Sequence, residues 1–321
     1  MQITKSVSVI IPTYNGKILL QQNISTVYEA LKPLFNYEII VVDDASSDDT
    51  LDYLHKFHPD ILTISNSKNL GFSQSMNKGI FAAKCDLVLL LNNDIGLAPN
   101  YMMSSLHYFD LNDTFGVMGS IMDSNKTDTL EGIKIPVGKI SGIGYKDHRE
   151  NNYKEASDLF TMYLCGGNAL IDRKKLIALG GFSLQYEPFY LEDVDLSLRA
   201  WLSGWKSYYN YRAISYHIHS ATIKKYYKSD FISMISKRNR LRLNYIFLTG
   251  KDKITFLLIA RIKYILYFLF HSLKIKSSYN GYEQFFNTYA EIHPFTNSAS
   301  NKLKRIFNDI YINWQKNRRE D

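Results

Sequence analysis

Two acidic clusters, about a hundred residues apart, carry the reactive chemistry of this chain. Asn92-Asn93-Asp94 follows the apolar run Leu87-Val88-Leu89-Leu90-Leu91, and Glu192-Asp193-Val194-Asp195 lies downstream. A buried strand that ends in an acidic residue presents a rigid carboxylate, suited to a divalent metal. The second cluster crowds three carboxylates into four positions where an amphipathic helix opens. The positive end of the helix dipole accounts for part of that crowding. Repulsion among the three also raises a pKa, which suits a general base.

The elements that must position these groups follow from alternation along the chain. Val7-Ser8-Val9-Ile10-Ile11 predicts a strand, stopped by Pro12-Thr13-Tyr14-Asn15-Gly16, and a helix pattern follows over 18–34. Tyr37-Glu38-Ile39-Ile40-Val41-Val42 predicts a second strand, and Asp48 or Asp49 then caps a helix over 50–57. The β-α-β-α order implies parallel pairing with helices on both faces, an α/β fold. In such sheets ligands bind beyond the carboxyl ends of the strands. Pro12 to Asn15, Asp43-Asp44 and Asn92-Asn93-Asp94 all fall at such ends. Metal and base on this scaffold point to sugar transfer from a nucleotide diphosphate. A nucleotide-sugar pyrophosphorylase would need a glycine-rich, Arg/Lys-bearing phosphate loop after the first strand, which Pro12 to Lys17 lacks. A non-catalytic nucleotide-sugar-binding protein would keep the fold while losing Asp94 or Asp193, and both are present.

Other positions suit the same ligand. Asp44 closes a strand, where its carboxylate can accept the imide N–H of uracil or thymine or cap the Asp-Ser-rich turn. Thr13 and Tyr14 lie at the neighbouring strand end, beside Pro12 and Asn15, with Tyr14 equally explicable as core. Gly71 in Asn69-Leu70-Gly71-Phe72 permits a positive φ before a helix start that suits phosphate, or makes a plain turn. Gly166-Gly167 in the run Cys165 to Ala169 leaves room for a donor sugar. Leu176 to Phe182 predicts a helix stopped by Gly180-Gly181.

Six motifs in order over about residues 5–245 resemble family 2 glycosyltransferases, inverting enzymes of the GT-A fold: 7–15, 41–50, Asn69-Leu70-Gly71-Phe72 with Asn77, 92–94, Gly180-Gly181-Phe182 and 192–199. With Arg238-Asn239-Arg240, the pattern is most similar to the rhamnosyltransferase-like branch. The resemblance implies that Asp44 contacts the base and that Asn93 lies by the nucleotide. It implies that Asp94 binds Mg²⁺ or Mn²⁺, although Asn92 and Asn93 replace the first two positions of Asp-x-Asp. It makes Asp193 the base, chosen over Glu192, which is left beside the sugars. His217, 24 residues after Asp193, completes the metal site by the same resemblance. Asp195 is expected to brace the loop or Arg199. The implied donor is dTDP-L-rhamnose, with UDP-hexoses, UDP-N-acetylhexosamine or UDP-galactofuranose as alternatives. The implied acceptor is a saccharide linked to polyprenyl diphosphate, in bacterial surface polysaccharide synthesis. The polar stretch 122–158 is expected to be an irregular loop that shapes acceptor choice.

Charge divides the chain in two. Residues 1–220, expected as the catalytic domain, hold 19 Lys/Arg against 24 Asp/Glu, a net of −5. Residues 221–321, expected as a basic, mainly helical region, hold 19 against 7, a net of +12. Such a tail calls for an anionic partner. Residues 254–270 are apolar but interrupted by Arg261 and Lys263, too short and too charged for a span. An interfacial helix fits, with Tyr264, Tyr267, Phe268 and Phe270 among headgroups; a buried helix is the alternative. These aromatics are embedded in aliphatics, which argues against nucleic acid. Cys85 and Cys165 give no disulfide framework or metal spacing, and the N-terminus enters a strand without a secretory leader. The expected location is the cytoplasm, peripheral on the inner face of the plasma membrane.

Overall fold

Strands β1 (Val7–Thr13) and β4 (Leu87–Leu91) are buried on both faces, as unbroken apolar runs are when helices cover both sides of a sheet. A computed structural model describes residues 5–137, 142–150, 152–154, 158–217, 226–269, 276–292 and 299–319. In it β1 pairs in parallel with β4 and with β2 (Tyr37–Asp43), and β2 with β3 (Leu62–Ser65). Helices α1 (Lys17–Leu31), α2 (Thr50–Phe57) and α3 (Phe72–Ala82) make the crossovers. Helix α1 stops short of residue 34: Lys32 still has helical angles and donates to Tyr28 O, but Pro33 has no N–H to continue the ladder. Helix α2 is capped from Asp48, whose Oδ1 accepts the Thr50 N–H at 3.1 Å, while Asp49 makes no side-chain cap.

Beyond β4 come β5 (Ile95–Leu97), α4 (Tyr101–Ser105) and β6 (Thr114–Asp123). They are followed by β7 (Thr129–Glu131), β8 (Ile133–Val137), β9 (Gly144–His148) and β10 (Leu159–Phe160). The stretch 122–158 is therefore not irregular: β8 and β9 form an antiparallel hairpin of their own, because Ile133 and Ile135 turn into the core. Strand β11 (Asn168–Asp172) runs antiparallel between β4 and β6. Helix α5 spans Arg173–Ala178, earlier than the 176–182 expected, because Asp172 caps it by accepting from Lys175 N. Helix α6 (Glu192–Leu202) leads into β12 (Lys206–His217), parallel to β6 and, at its end, antiparallel to β5. The main sheet is thus mostly parallel on the β3-β2-β1-β4 side and mixed beyond it.

Among the described residues four helices follow: α7 (Ser229–Phe247), α8 (Gly250–Leu269), α9 (Lys276–Thr288) and α10 (Ala299–Asn317). One apolar cluster joins Ile10 and Leu90 of the sheet to Phe247, Phe285 and Trp314 of these helices. Helix α10 returns to the sheet, where Asn313 Oδ1 accepts the Phe160 N–H at 2.8 Å. Helix α8 buries only Phe256 and Ala260. Tyr264 and Tyr267 do not face outward as expected; they pack on Phe286 and Tyr282 of α9, at centroid distances of 5.5 and 5.6 Å. Phe270 lies outside the described residues. No helix among those described is long and apolar enough to cross a membrane.

Candidate active site

One dipeptide touches both acidic clusters. Strand β11 pairs Asn168 with Leu91 at the end of β4, which brings Gly167 against Asn92. The Asn92 N–H donates to Gly167 O at 3.1 Å. A Cβ on Gly167 would stand 2.5 Å from the side-chain Nδ2 of Asn92, so a larger residue would have to displace the Asn92 carboxamide. On the other side, Gly166 N–H reaches Asp193 Oδ2 at 3.4 Å, and a Cβ there would meet Asp193, Phe182 and Phe72 at 3.5 Å each. Asn168 ties the same strand to β12, donating to Ser215 Oγ at 3.0 Å.

Strand β12 ends where it pairs His217 with Ile95, next to Asp94. His217 Nε2 and Asp94 Oδ2 are 3.4 Å apart, and Asp94 is only 7% exposed. Two ligands of one ion held at about 2.1 Å each stand roughly 3 Å apart, so this pair matches one edge of a divalent cation's coordination shell. Carboxylate oxygen with imidazole nitrogen suits Mn²⁺ better than Mg²⁺. Among the described residues no group of three or more His, Cys, Asp or Glu is placed to hold an ion. The remaining positions would fall to diphosphate and water. His219 and Ile218 lie outside the described residues.

The three carboxylates of α6 divide their roles. Asp195 accepts from Arg199 Nε at 2.7 Å and from Tyr186 OH at 3.1 Å, while Arg199 also holds the carbonyls of Leu179 and Gly181. It braces both Arg199 and the loop. Asp193 is half-buried, and desolvation pushes its carboxyl up to about 6, against the Val194 and Gly166 N–H groups. Glu192 is buried, with Oε2 lacking a hydrogen-bond partner, and burial followed by repulsion from Asp193 pushes it up to about 8.

Lys134 of β8 is a site residue that sequence reasoning missed. It is 1% exposed, its ammonium contacts Glu131 and sits 2.9 Å from Asp147 Oδ1. Burial alone would lower its pKa, but the two carboxylates hold it above the usual lysine value. The sequence Ile133-Lys134-Ile135 reads as a strand with its lysine outward, and only Glu131, three residues earlier, hints otherwise. Cys165, also nearby, is kept protonated by burial and by Glu131 and Asp193.

The nucleotide-side residues converge but are largely engaged with one another. Asp44 Oδ1 accepts from Leu70 N at 2.7 Å and Asn66 Nδ2 at 2.8 Å, and Oδ2 accepts from Gly71 N at 2.8 Å. It is the brace of the 69–71 loop rather than a turn cap, with about one of its four acceptor directions left for a base. Gly71 has φ +83°, as the turn into α3 requires. Asn93 Nδ2 donates to Thr13 Oγ1 at 2.9 Å, and Thr13 O accepts the Asp44 N–H at 2.8 Å, which takes one of that carbonyl's two lone pairs. Asn15 Oδ1 accepts from Ser47 N at 2.7 Å and shapes the turn after β2. Pro12 is half-buried, and the Tyr14 ring lies 5.5 Å from Tyr226. Asn77 clasps Phe182 by both backbone groups, at 2.8 and 2.9 Å, which joins two more of the quoted motifs.

Fold and site together define a GT-A glycosyltransferase. The chain belongs to glycosyl transferase family 2, whose model matches residues 8–180, more than half its length. It is 24% identical to chondroitin synthase of Escherichia coli over 228 residues, 63% of this chain and 33% of that protein. To the poly(ribitol-phosphate) beta-glucosyltransferase of Bacillus spizizenii it is 25% identical over 155 residues, 47% of this chain and 22% of that protein. The chain thus spans about a third or less of the length of these two relatives. Among solved structures, S. aureus TarS 1-349 in complex with UDP-GlcNAc aligns with TM-score 0.59 at 14% identity, over 97% of this chain and 92% of that one. GalNAc-T7 with UDP, GalNAc and Mn²⁺ aligns with TM-score 0.61 at 17% identity, over 81% and 51%. At these identities the likeness is one of fold.

Two expectations follow from the site. Asp94→Ala weakens binding of UDP or dTDP in the presence of Mn²⁺ and much less without it, by calorimetry; equal losses in both would make Asp94 structural. The raised Glu192 contributes stability below its unfolded pKa of about 4.5 and loses it as pH rises through about 8. Glu192→Gln should therefore melt like wild type at pH 5 and higher than wild type at pH 9.

Proposed function

We propose that this chain moves one sugar from a nucleoside diphosphate to a saccharide hydroxyl, with inversion at the anomeric carbon and Asp193 as the base. The observation that carries this is Gly166-Gly167, which sets the desolvated Asp193 carboxyl on one side and the Asp94–His217 pair on the other. The acceptor oxygen forms the new bond to the anomeric carbon as the bond to the β-phosphate oxygen breaks. Its proton passes to Asp193, and the nucleoside diphosphate leaves with the bonding pair. A divalent ion held by Asp94 and His217 would supply positive charge to the diphosphate. Glu192 and the Lys134 cluster keep Asp193 in a poorly hydrated pocket, where a carboxylate is a stronger base than in water.

The donor proposed from the branch resemblance is dTDP-L-rhamnose. A second reading, a UDP-hexose, UDP-N-acetylhexosamine or UDP-galactofuranose, is favoured by the UDP and UDP-GlcNAc bound in structures of similar fold. The proposed acceptor is a polyprenyl-diphosphate-linked saccharide in surface polysaccharide synthesis. The name of one relative, undecaprenyl-phosphate 4-deoxy-4-formamido-L-arabinose transferase of Yersinia pestis, 30% identical over 131 residues, supports a lipid-linked acceptor.

Such an acceptor lies at a membrane, and helix α8 offers the docking face, on the inner leaflet of the plasma membrane. Ile254, Leu258, Ile262, Ile265 and Leu269 recur every three or four residues and are 48–65% exposed. Lys251, Arg261 and Lys263 are exposed on the same helix, whereas Asp252 is neutralised by Lys304 at 2.6 Å. Lys253 is withdrawn from this set, because its ammonium packs 3.6 Å from the Tyr245 ring centroid. Each surface cation adds about 1 kcal/mol on an anionic bilayer, and the apolar stripe adds insertion.

Asp193→Asn should retain UDP or dTDP binding and lower transfer by at least ~10²-fold, the low end for loss of a general base. Turnover near wild type would remove Asp193 from the mechanism. For the membrane, Leu258→Asp with Ile262→Asp should abolish co-sedimentation with phosphatidylglycerol vesicles while sparing nucleotide-sugar hydrolysis. Unchanged sedimentation would sink the α8 assignment. Concentration-dependent dimers that the same pair of changes dissolves would give this face to a second copy of the chain.

A further inference from the structure

The base-bearing helix is entered through two consecutive left-handed residues. Tyr190 has φ 73° and Leu191 φ 77°, and neither is glycine. This conformation is unfavourable for side chains with a Cβ and persists only where surrounding structure imposes it. The backbone just before it is held by one face of helix α7. Asn239 is fully buried, and its Nδ2 donates to the carbonyls of Tyr186, Phe189 (2.8 Å) and Tyr190 (3.1 Å). Its Oδ1 accepts from Arg238 Nε at 3.0 Å, which fixes the orientation of the amide. Arg238 also donates to Glu187 O, and Arg242 Nη1 donates to Gln185 O at 2.6 Å. Five carbonyls within 185–190 are thus taken by three side chains of a helix some fifty residues downstream. The segment also reaches the donor side, since Gln74 Nε2 donates to Glu187 Oε1 at 2.8 Å.

We infer that Asn239 is a positioning residue for sugar transfer: its amide, oriented by Arg238, holds the 186–190 backbone so that the left-handed turn at Tyr190-Leu191 delivers Asp193 to the acceptor hydroxyl. The inference rests on the assignment of Asp193 as base. Without the amide, three carbonyls lose their donor and the turn relaxes toward ordinary backbone angles. Asp193 then enters α6 displaced, while the nucleotide loops on β1, β2 and β4 stay as they are. The loss is therefore expected in turnover rather than in donor binding.

The test uses the full chain and release of nucleoside diphosphate from whichever of dTDP-L-rhamnose, UDP-glucose, UDP-GlcNAc or UDP-galactofuranose the wild type turns over fastest. Asn239→Asp removes the donors at constant shape, and Asn239→Ser removes their reach with less charge. Both should lower kcat by about 10- to 100-fold, the scale of an ångström's misplacement, with the nucleotide-sugar KM within threefold. Leu243→Ala, which opens a cavity in the same helix, is the control: it should melt at least as early as Asn239→Ser yet keep kcat within twofold. A kcat within twofold of wild type in Asn239→Ser overturns the inference, as does a fall that Leu243→Ala matches at equal loss of Tm. If neither Asn239 variant folds, Arg242→Gln, which releases the Gln185 carbonyl and, away from the segment, the Thr288 hydroxyl, must lower kcat at unchanged KM; full kcat there overturns it too. Asp193→Asn is assayed alongside. Wild-type turnover in that variant sinks the base assignment and the clamp with it. An inactive Asp193→Asn beside an unaffected Asn239→Ser sinks the clamp alone.

Discussion

Two strands meet at Asn92 and Gly167, where the Asn92 N–H donates to Gly167 O and the Asn92 carboxamide fills the space a Cβ would take, and the geometry of the site is inherited from that contact. Because β11 runs antiparallel to β4, the carboxyl end of one strand faces the amino end of the other. Asn92 to Asp94 leave β4 just as the chain that contacts Asp193 enters β11. The register of that ladder cannot slip by one residue without turning the strand side chains to the opposite face of the sheet. The β11–β4 ladder therefore fixes where the two stretches come together, and helix α6 with the segment before it carries Asp193 to that place.

Charge is the second constraint. Lys134 is buried with Glu131 and Asp147; Asp193 lies close enough to feel the group, and Glu192 in turn feels Asp193. A single ammonium cannot balance all of these carboxylates, so the pocket favours protonation of those without a direct partner. Lys134 answers Asp147, whose carboxyl is held down despite burial, and Glu192 is the group left raised. The pocket thereby keeps the Asp193 carboxyl weakly solvated, and among the described residues no ion pair forms with it.

What could be read in advance was what local pattern controls. The β1, β2 and β4 runs, the helices between them and the strand-end positions of Asp43-Asp44 and Asp94 all follow from apolar continuity and turn residues. The approach of His217 to Asp94 was reachable through resemblance, though not through periodicity, because a histidine on a strand carries no sign of which face it takes. The β8–β9 hairpin was missed because polar residues dilute its alternation. The inward lysine was missed because burial of a cation depends on carboxylates from another strand. The engagement of Asp44, Thr13, Asn15 and Asn93 with one another and with neighbouring loops was equally invisible, since each contact spans 22 or more residues of chain. On α8, Phe268 is exposed as expected, whereas Tyr264 and Tyr267 were assigned to the wrong face, because α9 supplies the rings they stack against.

The β8–β9 hairpin makes no ladder with the main sheet. It is moored instead by Lys134, through its backbone to Thr161 and Met162 and through its ammonium to the two carboxylates. Ile133 and Ile135 seat it in the core on either side of that lysine. The chain is therefore divided into a sheet in which strand spacing is at stake and a hairpin that joins it without sharing a ladder. Outside the anchored segment 133–135, the hairpin can be remodelled without breaking a ladder bond of β6, β11 or β4.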